Sequence, residues 1–233
     1  LSQPKNWGDK VSQALASIPG EWQAWDQEWQ EIATGPHAML YTPDEPITVH
    51  QRNHRAYFTD LWNLAQGLRV DARFFELGAG RGTTSQYLAA KGCDVTLVDL
   101  AEGGLRLARH NFAKCGLPQP QCIVADCCDT GEPDYSADCV YSIGVLEHFE
   151  DPMPMLAESY RLLSEGGLLF HIIVQGTPEE AIAPNLVIAE EMPRYFKSCE
   201  WYSEAMQSLG MFCACYPYRI PGVYCLTGTK PIR

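Results

Sequence analysis

The chain has 233 residues, enough for one full-sized α/β core, and its 17 basic against 29 acidic residues leave a formal charge of −12. That charge repels a polyanionic backbone, and no run of basic residues concentrates on one segment, so nucleic acid is not expected as a partner. Ten cysteines sit mostly in apolar runs without a C-x-x-C pair, which argues against a zinc framework or a disulfide scaffold and for thiols in a reducing cytoplasm.

Residues 1–69 read as an N-terminal helical extension. No apolar run approaches membrane-spanning length, and the first residues lack the basic-then-apolar order of a secretory leader. Four of the six tryptophans, Trp7, Trp22, Trp25 and Trp29, fall in the first thirty positions. Ile18, Trp22, Trp25, Trp29 and Ile32 follow a 4-3-4-3 spacing that lines one helical face. Two readings fit that stripe: a face packed on the core, or a lid over an acceptor pocket whose indole faces could hold a cation. A proline-rich break from Tyr41 to Pro46 precedes a second helix, Val49 to Gly67, for which Thr48 and Gln51 form a capping box. His50 and His54 lie one turn apart, a zinc-compatible spacing. With no acidic third ligand nearby, they read instead as a polar face, which could also meet a carboxylate through Arg52 or Arg55.

From Val70, short β-rich runs alternate with helical segments, the pattern of a mostly parallel sheet with helices on both faces. The strands expected are Arg73–Leu77, Asp94–Asp99, Gln121–Ala125, Asp138–Ile143 and Leu168–Val174. The helices expected are Thr83–Lys91, Glu102–Cys115 and Met153–Leu163. After a helix near Glu200–Leu209, the runs Met211–Tyr218 and Val223–Thr229 flank Pro221-Gly222. A connection that short forces the two strands antiparallel. Residues 70–233 thus read as one seven-stranded Rossmann-like domain ending in an antiparallel hairpin.

The loop FELGAGRGTTS, Phe75 to Ser85, brings bare backbone to the end of the first strand, where N–H groups can approach a polar ligand. By itself it also fits a tight strand-to-helix turn. Asp99 ends the next strand, 21 residues after Gly78, where a carboxylate can accept from both ribose hydroxyls of a nucleoside. A nicotinamide-dependent oxidoreductase and an S-adenosylmethionine (SAM) enzyme compete at this point. Gly78-Ala-Gly80-Arg-Gly82 lacks the G-x-G-x-x-G spacing that seats a pyrophosphate, and Glu76 suits an ammonium better than a phosphate. A third alternative is a non-catalytic SAM-binding module.

The runs FELGAGRG, VTLVDL, VADC (Val124 to Cys127) and YSIGVLEHFEDP (Tyr141 to Pro152) resemble the successive motifs of class I SAM-dependent methyltransferases, in particular the small-molecule enzymes of ubiquinone- and menaquinone-biosynthesis type. The resemblance covers about Val70 to Phe170. It implies SAM as cofactor, S-adenosylhomocysteine as product, and a small-molecule acceptor. It also implies that Gly78 and Gly80 meet the methionine part with Glu76 near its amino group, that Asp99 holds the ribose and that Leu100 packs on the adenine. Asp126 would accept from the adenine amino group beside Cys127, while Ile143 and Gly144 line the sulfonium side. His148 is the candidate base. Some ubiquinone-type members bind a metal through Glu-x-x-Glu-His; here Gly144 replaces the first Glu, so no metal is expected despite Glu147. The Asp/Asn-Pro-Pro-Tyr/Phe loop of enzymes that methylate amino groups of nucleobases or glutamine is replaced by Ser142-Ile-Gly-Val145, which again points away from nucleic acid. Cys213 and Cys215 share a strand face and read as apolar filling, and Cys127-Cys128 are treated the same way.

Overall fold

Apolar residues on both faces commit the central strands to burial, and the computed structural model, which describes residues 21–35, 38–174, 194–195 and 197–232, assembles seven strands into one sheet. In chain order the elements are α1 (Glu21–Ala33), α2 (Val49–Ala65), β1 (Arg73–Leu77), α3 (Thr83–Ala89), β2 (Asp94–Asp99), α4 (Glu102–Lys114), β3 (Gln121–Val124), β4 (Ala137–Ile143), a 3-10 turn (Leu146–His148), α5 (Met153–Leu162), β5 (Leu163–Val174), α6 (Cys199–Ser208), β6 (Phe212–Pro217) and β7 (Val223–Thr229). The sheet order is β3-β2-β1-β4-β5-β7-β6. All pairs from β3 to β5 are parallel, and β7 enters antiparallel to both β5 and β6. The chain winds outward in both directions from the β1/β4 pair, which opens a crevice at the carboxyl ends of those strands, where open α/β sheets bind ligands.

Strand periodicity sorts the core into two layers. Phe74, Leu97, Tyr141 and Phe170 face α2, α3 and α4, where Phe58, Leu61, Leu88 and Phe112 meet them. Phe75, Leu77, Val98, Leu169 and Ile173 face α5 and α6, against Leu156, Tyr202 and Met206. Fully burying such side chains stabilises by roughly 1.5–3 kcal/mol each. At the opposite end of the β1/β4 pair, Arg73 donates through its backbone N–H (2.9 Å) and Nε (3.0 Å) to Asp138, locking the register.

Several boundaries differ from the sequence expectation. β3 stops at Val124 rather than Ala125, because Asp126 opens a turn in which its carboxylate accepts the Cys128 N–H. β5 starts at Leu163, not Leu168: Ala137 pairs with Leu163, and a register shift before Cys139 absorbs the intervening glycines. α2, α3 and α4 end one or two residues early, at C-caps Gln66, Ala90 and Cys115, and α5 ends at Leu162, where β5 begins. α6 starts and ends one residue early, with Ser198 as N-cap and Leu209 as C-cap. The Thr48/Gln51 capping box is present in both directions. Past β7, the Lys230 amine donates to Tyr160 O and Leu163 O, both at 2.7 Å, and lies over the Tyr135 and Tyr160 rings.

Trp25, Trp29 and Ile32 lie on α1, while Trp7 and Ile18 fall outside the described residues. α1 packs against the start of α4, where the Gly103 N–H donates to Asp26 Oδ1 at 2.6 Å.

Candidate active site

The glycine loop leaves β1 with Gly78, Gly80 and Gly82 all at positive φ (67°, 48° and 65°), a path that L side chains resist. Gly78 and Ala79 donate to Val98 O, and Gly80 donates to Asp99 Oδ2 at 2.7 Å. Asp99 Oδ1 accepts the Ala101 N–H at 2.8 Å, so one carboxylate ties the loop after β1 to the loop after β2. Burial pushes Asp99 up to about 6 against the pull of those two donors. Each oxygen keeps a lone pair for a further donor. Half-buried Leu100 adjoins it.

Glu76, 4% exposed, ends a hydroxyl chain across three elements: Ser85 Oγ donates to its Oε2 at 2.5 Å and Tyr141 OH at 3.3 Å. Burial raises it to about 7, so near neutral pH it can carry or release a proton.

The β4 end forms the facing wall. Ile143 leads to Gly144, at φ +68°, whose N–H donates to Ile172 O at 2.8 Å. Val145 reaches across: a Cβ added to Gly78 would lie 2.6 Å from its Cγ2. Glu147 is 1% exposed, its Oε2 has no hydrogen-bond partner, and burial pushes it up to about 8 while Arg194 opposes the shift. Its carbonyl accepts the Tyr195 N–H at 2.7 Å. His148 follows, edge-on to the Trp25 indole with ring centroids 5.1 Å apart.

At the end of β3, Asp126 Oδ1 accepts the Cys128 N–H at 2.8 Å. Asp126, Cys127 and Cys128 bring their ligand atoms within 4.8 Å of one another, among the described residues the one such group. A hydrogen bond with Cys128, together with burial, holds the Cys127 thiol well above its usual range.

α1 closes over these elements. Trp29 lies on the glycine loop: a Cβ at Gly80 would overlap Trp29 Cζ2 and come 2.6 Å from Cη2. The Arg81 guanidinium sits over the same indole, 5.5 Å from its centroid. One stripe thus touches the glycine loop through Trp29 and His148 through Trp25.

The structure brings Glu76, Gly78, Gly80 and Asp99 together by hydrogen bonds or loop contact and sets Gly144 and His148 on the facing wall. Arg52 donates to Ile47 O at 2.7 Å and Arg55 to Asp44 O at 2.6 Å, so both guanidiniums tie down the turn before α2. His54 is half-buried with its Nδ1 sealed from solvent, and desolvation pushes it down to about 3, which favours the neutral imidazole. Sequence reasoning missed Tyr141 and Ser85 as partners of Glu76, Asp26 as an acceptor for α4, and the orphaned Glu147 oxygen. The Glu76–Tyr141 pairing across β1 and β4 depends on strand register, which no local spacing announces. A cavity of about 390 Å³ between α2 and β6, lined by Asp60, Leu64 and Tyr218, shares no residue with this site.

A family model described as "Methyltransferase domain" matches residues 75–171. The ubiquinone biosynthesis O-methyltransferase of Idiomarina loihiensis is 33% identical over 99 residues, covering 42% of this chain and 40% of that one. Its counterpart from Xanthomonas oryzae pv. oryzae is 32% identical over 123 residues, 53% of this chain and 51% of the relative. The chain spans about half the length of the curated relatives it matches. Among solved structures, Haemonchus contortus phosphoethanolamine N-methyltransferase 2, in complex with phosphomonomethylethanolamine and S-adenosylhomocysteine, superposes with TM-score 0.65 at 15% identity, over 89% of this chain and 58% of that one. The [4+2]-cyclase SpnF superposes with TM-score 0.68 at 17% identity, over 91% and 95%. At these identities the structural matches establish the fold alone.

Proposed function

We propose that residues 75–171, which match a methyltransferase domain, form a class I SAM-dependent methyltransferase domain, and that the protein transfers a methyl group to a small-molecule acceptor by in-line displacement and releases S-adenosylhomocysteine. The observation that carries this reading is the junction of the glycine loop with Asp99 through the Gly80 N–H, at the sheet's switch point. The residues present fit the cofactor. Three left-handed glycines keep side chains off the loop, and Asp99 has lone pairs to spare for ribose hydroxyls. Gly78, Gly80 and Glu76 would hold the methionine portion, Leu100, Asp126 and Cys127 the adenine, and Ile143 and Gly144 the sulfonium side. When bound, SAM supplies a methyl group on a cationic sulfur.

The protein's own part is alignment, exclusion of water and acceptance of a proton. His148, edge-on to Trp25, would take that proton. Residues 1–69 are proposed as an extension whose α1 covers the pocket, with residues 70–233 forming the catalytic domain. The charge of −12 favours a small acceptor over a polyanion. No helix among the described residues is long and apolar enough to cross a membrane, and a cytoplasmic location is part of the proposal. The reading calls for no metal, since Gly144 supplies no carboxylate beside Glu147.

Incubation with methyl-labelled SAM and a metabolite extract, followed by mass spectrometry, tests the proposal. A labelled product that disappears with Asp99→Ala supports it. SAM binding without any labelled product favours a binding module, and NADH bound in preference to SAM would restore the oxidoreductase alternative.

A further inference from the structure

Cys199 opens α6, and Cys215 lies on β6, the edge strand of the sheet. Their sulfur atoms are 3.2 Å apart. The two elements are docked so as to keep them facing: the Cys215 N–H donates to Ser203 Oγ at 3.0 Å, and Cys213 Sγ contacts Ser203 O at 3.5 Å. Both thiols are half-buried, so a small oxidant reaches them from solvent, in contrast to the buried Cys127, Cys139 and Cys225. A disulfide needs its sulfurs about 2.05 Å apart, so closure asks for a shift of roughly 1.2 Å, within reach of side-chain rotation at a helix start.

We propose that Cys199 and Cys215 form a reversible disulfide, a modification site for hydrogen peroxide that joins α6 to the sheet edge. The Cys199 thiolate attacks the peroxide oxygen; the O–O bond breaks, hydroxide leaves, and the sulfur becomes a sulfenic acid. The Cys215 sulfur then attacks that sulfur, the S–O bond breaks, and water leaves with the Cys215 proton. Two thiols lose two electrons to one peroxide, which ends as two waters. Burial and the neighbouring thiols Cys199, Cys225 and Cys213 hold Cys215 protonated, so it is not the thiol that attacks the peroxide first.

The site is not an isolated staple. Tyr195, four residues before Cys199, donates its N–H to Glu147 O at 2.7 Å, so the bond would anchor the chain that contacts the β4 wall of the candidate pocket. The proposal does not depend on the methyl-transfer reading, because the chemistry belongs to the two thiols alone.

The test uses the full chain. The reduced protein is treated with one equivalent of hydrogen peroxide, remaining thiols are alkylated, and peptides are mapped without reduction. The expected result is a mass loss of about 2 Da, one cross-linked peptide joining Cys199 to Cys215, and recovery on adding dithiothreitol. Cys199→Ser and Cys215→Ser should each abolish the cross-link, while Cys213→Ser should leave it intact and show that the fold tolerates a serine on this strand. A cross-link to Cys213 or Cys225 instead would overturn the proposal. So would sulfinic acid accumulating at Cys199 while Cys215 stays alkylatable.

Discussion

Replacing Gly80 with alanine tests whether α1 is seated on the glycine loop. Gly80 has φ +48°, and holding an alanine in the left-handed region costs roughly 1–2 kcal/mol. The new methyl would overlap Trp29 Cζ2 and lie 2.6 Å from Cη2 and 3.0 Å from Cε2, so the indole or the loop must move. Overpacking of that kind costs a further ~1–3 kcal/mol, with a ceiling at the free energy that docks α1. Gly80→Ala alone should therefore destabilise by roughly 2–5 kcal/mol, and by only about 1–2 kcal/mol when Trp29→Ala has removed the obstacle. Urea denaturation of the four proteins gives the coupling, expected at roughly 1–3 kcal/mol. A coupling within about 0.5 kcal/mol of zero would refute the seating of Trp29 on the loop.

Asp99→Ala removes the acceptor of the Gly80 and Ala101 N–H groups and the expected ribose contact, and should weaken SAM binding by about tenfold or more in calorimetry. Glu147 titrates near 8 in the fold against 4.5 unfolded, so the native state binds its proton more tightly. The stability this contributes is complete below pH 4.5 and is lost as pH rises through 8, by up to about 4–5 kcal/mol. Glu147→Gln should consequently gain stability relative to wild type from pH 5 to pH 9, measured by urea midpoints; a constant difference would contradict the raised titration of this buried carboxyl. Thr48→Ala breaks the capping box of α2 and should cost about 1 kcal/mol in thermal or urea unfolding.

Much of the sheet was legible because its signals are local. Arg73–Leu77, Asp94–Asp99 and Val223–Thr229 fall where alternating β-branched and aromatic residues meet turn residues, and the short Pro221-Gly222 connection forces the antiparallel pair. The early start of β5 was not legible, since Gly166 and Gly167 look like a break and only the pairing of Ala137 with Leu163 carries the strand through them. In the site, the glycine loop and Asp99 announced themselves by spacing. The hydroxyl chain from Ser85 and Tyr141 to Glu76 did not, because it joins positions up to 65 residues apart through sheet register. The tryptophan stripe was visible as a face, but its target, Gly80 and His148, exists only once α1 is placed. Cys215 read as filling because its neighbour in space, Cys199, lies on another element.

The late arrival of β7 shapes how the chain must be made. Seven residues of β5, Leu168 to Val174, find their outer partners only in Val223 to Thr229. That partner emerges roughly fifty residues later, which at ~5–20 residues per second leaves an apolar strand edge unpaired for several seconds on the ribosome. Lys230, whose amine binds the carbonyls of Tyr160 and Leu163, comes directly after β7 and fastens it. A nascent chain stalled before that point would carry a formed glycine loop beside an open edge, the state most exposed to pairing with a second copy.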